Sequence, residues 1–339
     1  MKEKKILVIQ TAFPGDAILT LPLIGELKKK YSGFLIDVVC IPSTALIFQN
    51  SPFINQVIIY DKHGKDKSLV SLFKFISLLR QNNYEMLYSP HRSFRTSLIV
   101  WLSRINQTSG FDYSSMSFVY KTKVHYEKNI HEVERNLKLM GFETENDNWK
   151  IKPEIKIDES INNKINILLN PPDASKYVAV APASVWETKK YPKEYYLRLI
   201  LHLISKGYFV FLIGSPAESE LCNELKNHDP KNILSFAGKL NIIESIALLK
   251  RCSLLLCNDS APTHMAMAAG IPALTIYCST VPDFGFYPYN EKSLIVSYDD
   301  LYCKPCGIHG RKKCPVNTFD CGFKLLPEVI IEKIDSILA

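Results

Sequence analysis

The chain of 339 residues contains no apolar run near the ~20 residues that a membrane-spanning helix needs. Two apolar stretches, SLIVWLS (97–103) and CSLLLCN (252–258), are far too short. The N-terminal MKEKK leads into an apolar segment that is too short for the core of a signal peptide, and no cleavage site follows it. From these absences we expect a cytoplasmic protein.

Basic residues are nowhere concentrated, since the chain has no run of five or more of them. This argues against a nucleic-acid-binding tail, and we expect no nucleic-acid partner. The formal net charge of +7 nevertheless favours an anionic partner, such as a nucleotide or an anionic membrane surface. Ordinary surface lysines account for this charge equally well.

A disulfide framework is not expected, because the nine cysteines are odd in number and no secretion signal precedes them. Five are scattered through strand-like or helix-like stretches. The other four follow the pattern C-x2-C-x7-C-x6-C and are Cys303, Cys306, Cys314 and Cys321. Four thiolates at such spacing can hold a tetrahedral zinc ion. Packed or redox-labile thiols are the preferred interpretation, and structural zinc is the alternative.

Short apolar strands alternate with helical patterns in both halves of the chain, which predicts an α/β protein with parallel sheets. The strand-like stretches are 5–10, 34–40, 56–60 and 84–88, and then 177–182, 208–214, 232–236, 253–258 and 272–277. A polar stretch between the two sets, 143–176, is typical of a linker between domains. The pattern predicts two Rossmann-like domains that face each other across a cleft.

We place the first domain at 1–165 and the second at 176–322. The remaining segment, 323–339, has the pattern of an amphipathic helix. It can pack on either domain, and packing back on the N-terminal domain is the arrangement we expect. In open α/β sheets ligands bind beyond the carboxyl ends of the strands, so the loops that follow the strands are the places to look for a site.

The richest of these loops is CNDSAPTHMAMAAGIP (257–272). Asp259 and Ser260 are typical N-cap residues, and Pro262 suits the first turn of a helix. The free N–H groups of such a turn make an anion site, with His264 about one turn further on. A well-capped helix with a structural histidine is the alternative.

Two more loops of the second half have a similar character. In APASVWETKK (181–190) the hydroxyls of Ser184 and Thr188 and the amine of Lys189 suit a pyrophosphate, although a solvated loop has the same composition. In GSPAESE (214–220) Glu218 is an acid of the kind that binds ribose hydroxyls, or an acid favoured by the dipole of a helix N-terminus.

The first half has the order strand, small-residue loop and helix in TAFPGDAILTLP (11–22), without a G-x-G-x-x-G. Asp16 sits at this turn as a helix cap or as a catalytic base, and the turn alone does not separate the two. A later stretch, SPHRSFR (89–95), begins a helix with His91, Arg92 and Arg95 near its first turn. The two arginines are expected on one face, where they would bind an acidic group, or else form a solvated helix end.

Four of these motifs, taken in their order along the chain, resemble those of one family, and the resemblance covers essentially the whole chain. DSAPTHMA, GDAILTLP, TKKYP and GSPAESE are similar to motifs of the ADP-heptose:lipopolysaccharide heptosyltransferases, glycosyltransferase family nine. The resemblance implies a GT-B fold and an inverting, metal-independent transfer of heptose from ADP-heptose to a lipopolysaccharide-core or similar glycolipid hydroxyl. It implies no cofactor, and the sequence has no D-x-D motif, since YDDLY (298–302) lacks the spacing.

The resemblance also implies roles for the residues at matching positions. Asp16 would be the general base, and Gly15 would let the backbone approach the acceptor, which Arg92 and Arg95 would bind. The donor would be held by Ser184, Lys189, Glu218, Leu240, Asp259, Ser260, Ala261 and His264. Of these, Glu218 would contact the ribose and Leu240 the adenine. Ala261 departs from the family, which usually has glycine there, and this leaves the donor sugar open.

The sequence alone leaves other functions open. One keeps the fold and uses another nucleotide sugar; another is a nucleotide-sugar or glycan binder without turnover. A nicotinamide dehydrogenase is disfavoured by the missing G-x-G-x-x-G. Four basic residues flank the cysteine cluster: Lys304, Arg311, Lys312 and Lys313. A solvated loop is the preferred interpretation, and peripheral contact with the inner leaflet of the inner membrane is the alternative.

Overall fold

The computed structural model describes residues 3–62, 64–169 and 176–339. The chain divides into two compact units, Met1–Lys156 and Ile157–Ala339. The division falls before a helix at Glu159–Leu168, which our boundary at 165 would have cut. Residues 170–175 of the expected linker lie outside the described residues.

The first unit is built on a six-stranded parallel sheet in the order β3-β2-β1-β4-β5-β6. Its strands are β1 (Lys5–Ile9), β2 (Leu35–Cys40), β3 (Gln56–Ile59), β4 (Met86–Ser89), β5 (Gln107–Phe111) and β6 (Thr122–Val124). Its helices are α1 (Pro14–Lys30), α2 (Ala45–Gln49), α3 (Leu69–Gln81), α4 (Phe94–Ser103) and α5 (Glu132–Lys138), with short 3-10 turns at Pro42–Thr44 and Ser117–Val119.

The centre of this sheet is β1, which pairs in parallel with β2 on one side and β4 on the other. Its residues from Ile6 to Ile9 are fully buried because helices cover both faces of a parallel sheet. Each such side chain stabilises the fold by roughly 1.5–3 kcal/mol. The chain leaves β1 through an extended Phe13 and enters α1 at Pro14, which is suited to a first helical position.

The second unit carries another six-stranded parallel sheet, in the order β12-β11-β10-β7-β8-β9. Its strands are β7 (Lys176–Ala181), β8 (Tyr208–Leu212), β9 (Ile233–Ser235), β10 (Leu254–Asn258), β11 (Ala273–Tyr277) and β12 (Leu294–Ser297). Its helices are α6 (Glu159–Leu168), α7 (Lys193–Ser205), α8 (Ser219–Lys226), α9 (Ile242–Leu249), α10 (Ala261–Ala269), α11 (Asp320–Phe323) and α12 (Pro327–Leu338), and 3-10 turns lie at Glu187–Lys189, Pro216–Glu218 and Pro282–Phe284.

The C-terminal helix α12 packs against α7 of the second unit. Ile330 and Ile334, one turn apart, are fully buried in the same core as Leu199 of α7. His202 of α7 lies 2.8 Å from the Asp335 carboxylate, which pairs the polar edges of the two helices. The apolar stripe of α12 therefore completes the core of its own unit.

Two parallel six-stranded sheets confirm the α/β class predicted from the alternating pattern. In the parts of the chain that the structure describes, none of the helices combines the length and apolar character that crossing a membrane requires.

Candidate active site

A cavity of about 330 Å³ opens in the first unit at the ends of β1 and β4. The loop after β1 contributes Asp16, and the loop after β4 contributes His91 and Arg92. The remaining polar lining comes from Gln10, Ser93, Tyr113, Ser115 and Glu132. Because both strands are parallel and neighbouring, their carboxyl ends bring these side chains to one edge of the sheet.

Asp16 is the third residue of α1, where the Phe13 N–H donates to its carboxylate at 3.2 Å. The pKa of Asp16 is raised to about 7, mainly by burial and also by the nearby charge of Glu132, against the lowering effects of the Phe13 N–H and of Arg92. The dipole at the helix N-terminus favours the ionised carboxylate, but the cost of desolvation outweighs that effect. Near neutral pH the group can therefore both accept and release a proton.

Glu132 is a part of this cavity that the sequence analysis missed. It forms a 2.7 Å ion pair with Arg135, whose side chain is only 1% exposed. Arg135 also donates to the carbonyl oxygens of Glu127 and Lys128. The available signal was the acid and arginine three apart in HEVER, the spacing of side-chain pairs on a helix.

Arg92 lies in the cavity with its guanidinium 3.9 Å from the centre of the Tyr126 ring and 6.0 Å from that of Tyr113. Stacking on aromatic rings holds an arginine in place while its donors remain available to a ligand. The arrangement can bind a phosphate or a carboxylate beside Asp16.

Arg95 is held elsewhere and does not line this cavity. Its guanidinium donates to the Tyr60 hydroxyl and to the backbone carbonyls of Asp66 and Lys67. The expectation that Arg92 and Arg95 share one helix face is wrong, because α4 begins at Phe94 after its N-cap Ser93, so Arg92 precedes the helix. Gly15 is the second residue of α1, directly before Asp16.

His91 is fixed by two threonine hydroxyls, since its Nδ1 lies 2.9 Å from Thr11 Oγ1 and 2.7 Å from Thr96 Oγ1. Burial lowers the pKa of His91 to about 4, and the positive charges of Lys62 and Arg92 act in the same direction. The imidazole is therefore neutral at physiological pH and contributes hydrogen bonds rather than charge.

In the second unit the loops after β7 and β10 meet because these strands are neighbours in the sheet. Asn258 at the end of β10 is fully buried and donates to the carbonyls of Pro182 and Ala183, while it accepts from the Tyr191 N–H. This amide fastens the loop after β7 to the end of β10, and the sequence analysis gave it no role.

Lys189 and Asp259 pair with each other at 2.6 Å, with both side chains mostly buried. Lys189 also donates to the Asp259 backbone carbonyl, and the Thr280 hydroxyl donates to the Asp259 carboxylate at 2.7 Å. The sequence assigned Lys189 and Asp259 separately to a donor. The structure brings them together as one neutral pair.

The N-terminus of α10 follows at once, where Ser260 is the N-cap but donates its hydroxyl to the Asn258 carbonyl. No side-chain cap is formed there within the described chain, so the N–H groups of the first turn are not claimed by a cap. Ala261 and Pro262 begin the helix. An anion can bind at such a helix N-terminus, and its binding here stays a prediction.

His264 lies in the fourth position of α10 and is 4% exposed. Among the residues that the structure describes, its buried Nδ1 has no hydrogen-bond partner. Burial lowers the pKa of His264 to about 4, with Asp259 raising and Lys189 lowering it. A buried polar atom without a partner is costly, and a ligand beside it would remove that cost.

The other expected donor residues lie along the same sheet edge. The Ser184 hydroxyl accepts weakly from the Trp186 N–H at 3.4 Å. Glu218, after β8, accepts a hydrogen bond from the Ser215 N–H at 2.6 Å. One of its carboxylate oxygens therefore caps the helix N-terminus, as the alternative interpretation proposed. Leu240 is half-buried and directly precedes the N-cap of α9.

Within the described residues, the cysteine cluster is not part of any group of three or more His, Cys, Asp or Glu side chains that could hold a metal ion. All nine cysteines are free thiols. Lys304 was one of the basic residues expected to contact a membrane surface, and for this residue the expectation is wrong. Its side chain is 2% exposed and binds the Asp299 carboxylate and the carbonyls of Tyr277 and Tyr298.

Comparison with known proteins identifies the family. Residues 72–316 match the model of glycosyltransferase family 9 (heptosyltransferase). The chain is 25% identical to lipopolysaccharide heptosyltransferase 3 of Escherichia coli, covering 79% of this chain and 82% of that protein. It is 24% identical to lipooligosaccharide heptosyltransferase 2 of Campylobacter jejuni, covering 98% and 99%.

Solved structures share the fold. A family 9 glycosyl transferase from Veillonella parvula superposes with a TM-score of 0.87 at 20% identity, over 100% of this chain and 98% of that one. E. coli heptosyltransferase WaaC, solved with ADP-2-deoxy-2-fluoro heptose, superposes with a TM-score of 0.72 at 20% identity, over 98% and 99%. The chain therefore belongs to glycosyltransferase family 9, the heptosyltransferases, and it has their GT-B fold.

Proposed function

We propose that the protein transfers heptose from ADP-heptose to a hydroxyl of a lipopolysaccharide-core or related glycolipid acceptor, with inversion and without a metal ion. The observation that carries the proposal is the Asp16 carboxyl group, whose pKa is raised to about 7 in a cavity that it shares with Arg92. A base of this kind is what an attacking hydroxyl needs near neutral pH. Family membership makes the reaction a glycosyl transfer.

In the proposed reaction the acceptor hydroxyl loses its proton to Asp16 while its oxygen bonds to the anomeric carbon of heptose. The bond from that carbon to the donor's phosphate breaks on the opposite face, and ADP leaves with the electron pair. A single displacement of this kind inverts the anomeric configuration. The neutral His91 beside Asp16 would offer the acceptor a hydrogen bond without competing as a base at this pH.

The second unit would hold the donor. The N–H groups at the start of α10, with Ser260 and Ala261, would bind the diphosphate together with Lys189 and Ser184. His264 Nδ1 would find a donor or acceptor in the bound nucleotide sugar. Glu218 would bind the ribose, and Leu240 would contact the adenine. The methyl group of Ala261 is expected to lie near the phosphates and to limit the room for the sugar.

The positive charge that stabilises the leaving diphosphate would come from the protein rather than from a metal ion. Lys189 and the helix N-terminus are the groups available, and preorganised donors of this kind stabilise developing charge in a transition state. The proposed acceptor would present a phosphate or carboxylate to Arg92. Arg311, Lys312 and Lys313 are exposed and would contact an anionic membrane surface.

Replacing Glu132 with Gln is expected to move the acidic limb of the pH profile of kcat/KM to lower pH. The transfer needs ionised Asp16, so kcat/KM of the wild type should rise through about pH 7. The negative charge of Glu132 raises that pKa, and removing it lowers the pH at which Asp16 ionises. The amide oxygen of Gln can still accept from Arg135. Glu127→Gln, a partner of Lys138, is the matched control, and an unshifted limb in Glu132→Gln would contradict the assignment.

Arg92→Ala is expected to raise the KM for the acceptor about tenfold, since it removes a charged hydrogen bond to the acceptor's anionic group. Donor binding should be unchanged. Arg95→Ala is the matched comparison and should instead lower the free energy of unfolding by about 1–3 kcal/mol, because its hydrogen bonds to Tyr60 and the Asp66 carbonyl hold the fold. Steady-state kinetics and thermal unfolding separate the two; equal acceptor KM values in both variants would refute the difference in role.

A further inference from the structure

The segment Cys303–Cys314, which follows β12, is not used by the proposed mechanism but is joined to the loop that carries Lys189. The Thr188 N–H donates to the Arg311 carbonyl at 3.1 Å, and the Arg311 N–H donates to the Thr188 hydroxyl at 2.8 Å. The Cys306 N–H donates to the Ser279 carbonyl at 2.8 Å. This segment is therefore fastened at two points beside the ends of β7 and β11.

Gly310 shows how closely the segment approaches Lys189. A Cβ at this position would lie 3.1 Å from Lys189 Cγ, from the Thr188 hydroxyl and from the Ser279 hydroxyl. The φ angle of Gly310 is +77°, in the region that favours glycine. Both the space and the backbone conformation favour glycine here, so the segment and Lys189 are in close contact.

His309, next to Gly310, lies over the same loop. Its imidazole stacks on the Trp186 ring with centroids 6.3 Å apart and an interplanar angle of 17°. The side chain remains exposed to solvent. Burial lowers the pKa of His309, the charge of Lys189 lowers it further, and the charge of Asp259 opposes them, so the ring is close enough to feel both members of the pair.

The positive charge at this edge of the sheet is too small to balance a nucleoside diphosphate. Lys189 and Asp259 neutralise each other at 2.6 Å, and a helix N-terminus such as that of α10 offers roughly half a positive charge. A nucleoside diphosphate carries more negative charge than this. An imidazole beside the pair can take up a proton when an anion arrives and so supply the missing charge.

We propose that His309 is a further donor-binding residue: the segment Cys303–Cys314 holds its imidazole beside the Lys189–Asp259 pair, where it binds the donor's diphosphate. The inference rests on the proposed function, in which the second unit binds a nucleotide sugar. Among the described residues, the charges that act on the imidazole are those of Lys189, from the loop after β7, and Asp259, directly after β10. Binding of the diphosphate should therefore be accompanied by proton uptake at His309.

The test is calorimetric titration of ADP and of adenosine into the full chain at neutral pH, in two buffers that differ in their heat of ionisation. Wild type should bind ADP with net proton uptake. His309→Ala should weaken ADP about tenfold, abolish the proton uptake and leave adenosine binding unchanged. His309→Gln should also lose the proton uptake, while His228→Ala, at an exposed histidine elsewhere in the second unit, should behave as wild type.

Two results would overturn the inference. One is unchanged ADP affinity and proton uptake in His309→Ala; the other is an equal loss of ADP and adenosine binding, which would assign a structural role to the ring. Wild type that binds neither ADP nor adenosine would refute the proposed function itself, so the two failures are distinguishable.

Discussion

Replacing Asp16 with Asn is expected to lower kcat for heptose transfer about 10²–10⁴-fold, the usual contribution of a positioned general base. The amide keeps the size of the side chain and its place at the third position of α1 but cannot accept the hydroxyl proton. ADP-heptose affinity should be unchanged, because this account places the donor in the second unit. Single-turnover kinetics and donor titration measure the two effects separately.

Asp16→Asn also removes a charge that the folded state disfavours, so the variant should be at least as stable as wild type above pH 7. Folding raises the pKa of the carboxyl from 3.8 to about 7, so the wild type loses stability as pH rises between these values and bears the full cost above pH 7. A variant that unfolds more easily at alkaline pH, or one that keeps wild-type kcat, would contradict the role given to Asp16.

Replacing Lys189 with Met should weaken ADP binding about 10–100-fold, the range expected for losing a charged contact to phosphate. The same change leaves the mostly buried Asp259 carboxylate without its partner, which costs about 3–5 kcal/mol of stability. The double variant Lys189→Met with Asp259→Asn should recover the lost stability and still bind ADP weakly. Titration calorimetry and thermal unfolding distinguish these outcomes.

Lys190→Met is the matched control for this series, since Lys190 is the next residue and pairs only with Glu187 at the surface among the described residues. It should bind ADP as wild type does. Full recovery of ADP affinity in the double variant would mean that Lys189 serves only to neutralise Asp259, and the donor assignment of Lys189 would then be wrong.

The strands in the middle of each sheet were predictable because buried parallel strands are nearly continuous apolar runs. The sequence analysis missed β5, β6 and β12. β5 contains QTSGF, where Gly110 leaves room for the Tyr120 ring, to which an added Cβ would come within 2.5 Å. β6 and β12 are short edge strands, but so are β3 and β9, which were predicted, so length and position do not explain the difference. In β5 the contact with Tyr120 comes from outside the strand, and the composition of the strand does not reveal it.

The positions of the site loops were also predictable, since they follow strands whose carboxyl ends share an edge. The partners of the side chains were not. From the sequence, Arg95 and Lys304 were expected to bind external groups. In the structure Arg95 binds the Tyr60 hydroxyl and backbone carbonyls. Lys304 binds the Asp299 carboxylate and backbone carbonyls. The pKa of Asp16 depends on Glu132, more than a hundred residues away along the chain. Such pairings exist only in the folded chain.

The most direct test of the account is a transfer assay with ADP-heptose and a heptose-deficient lipopolysaccharide core in the presence of a metal chelator, followed by mass spectrometry and by NMR of the new linkage. We expect one heptose to be added per acceptor, with ADP released and the anomeric configuration opposite to that of the donor, and no product with Asp16→Asn. Transfer that requires a divalent metal, retains the donor's configuration, or proceeds only with a GDP- or UDP-sugar would contradict the account.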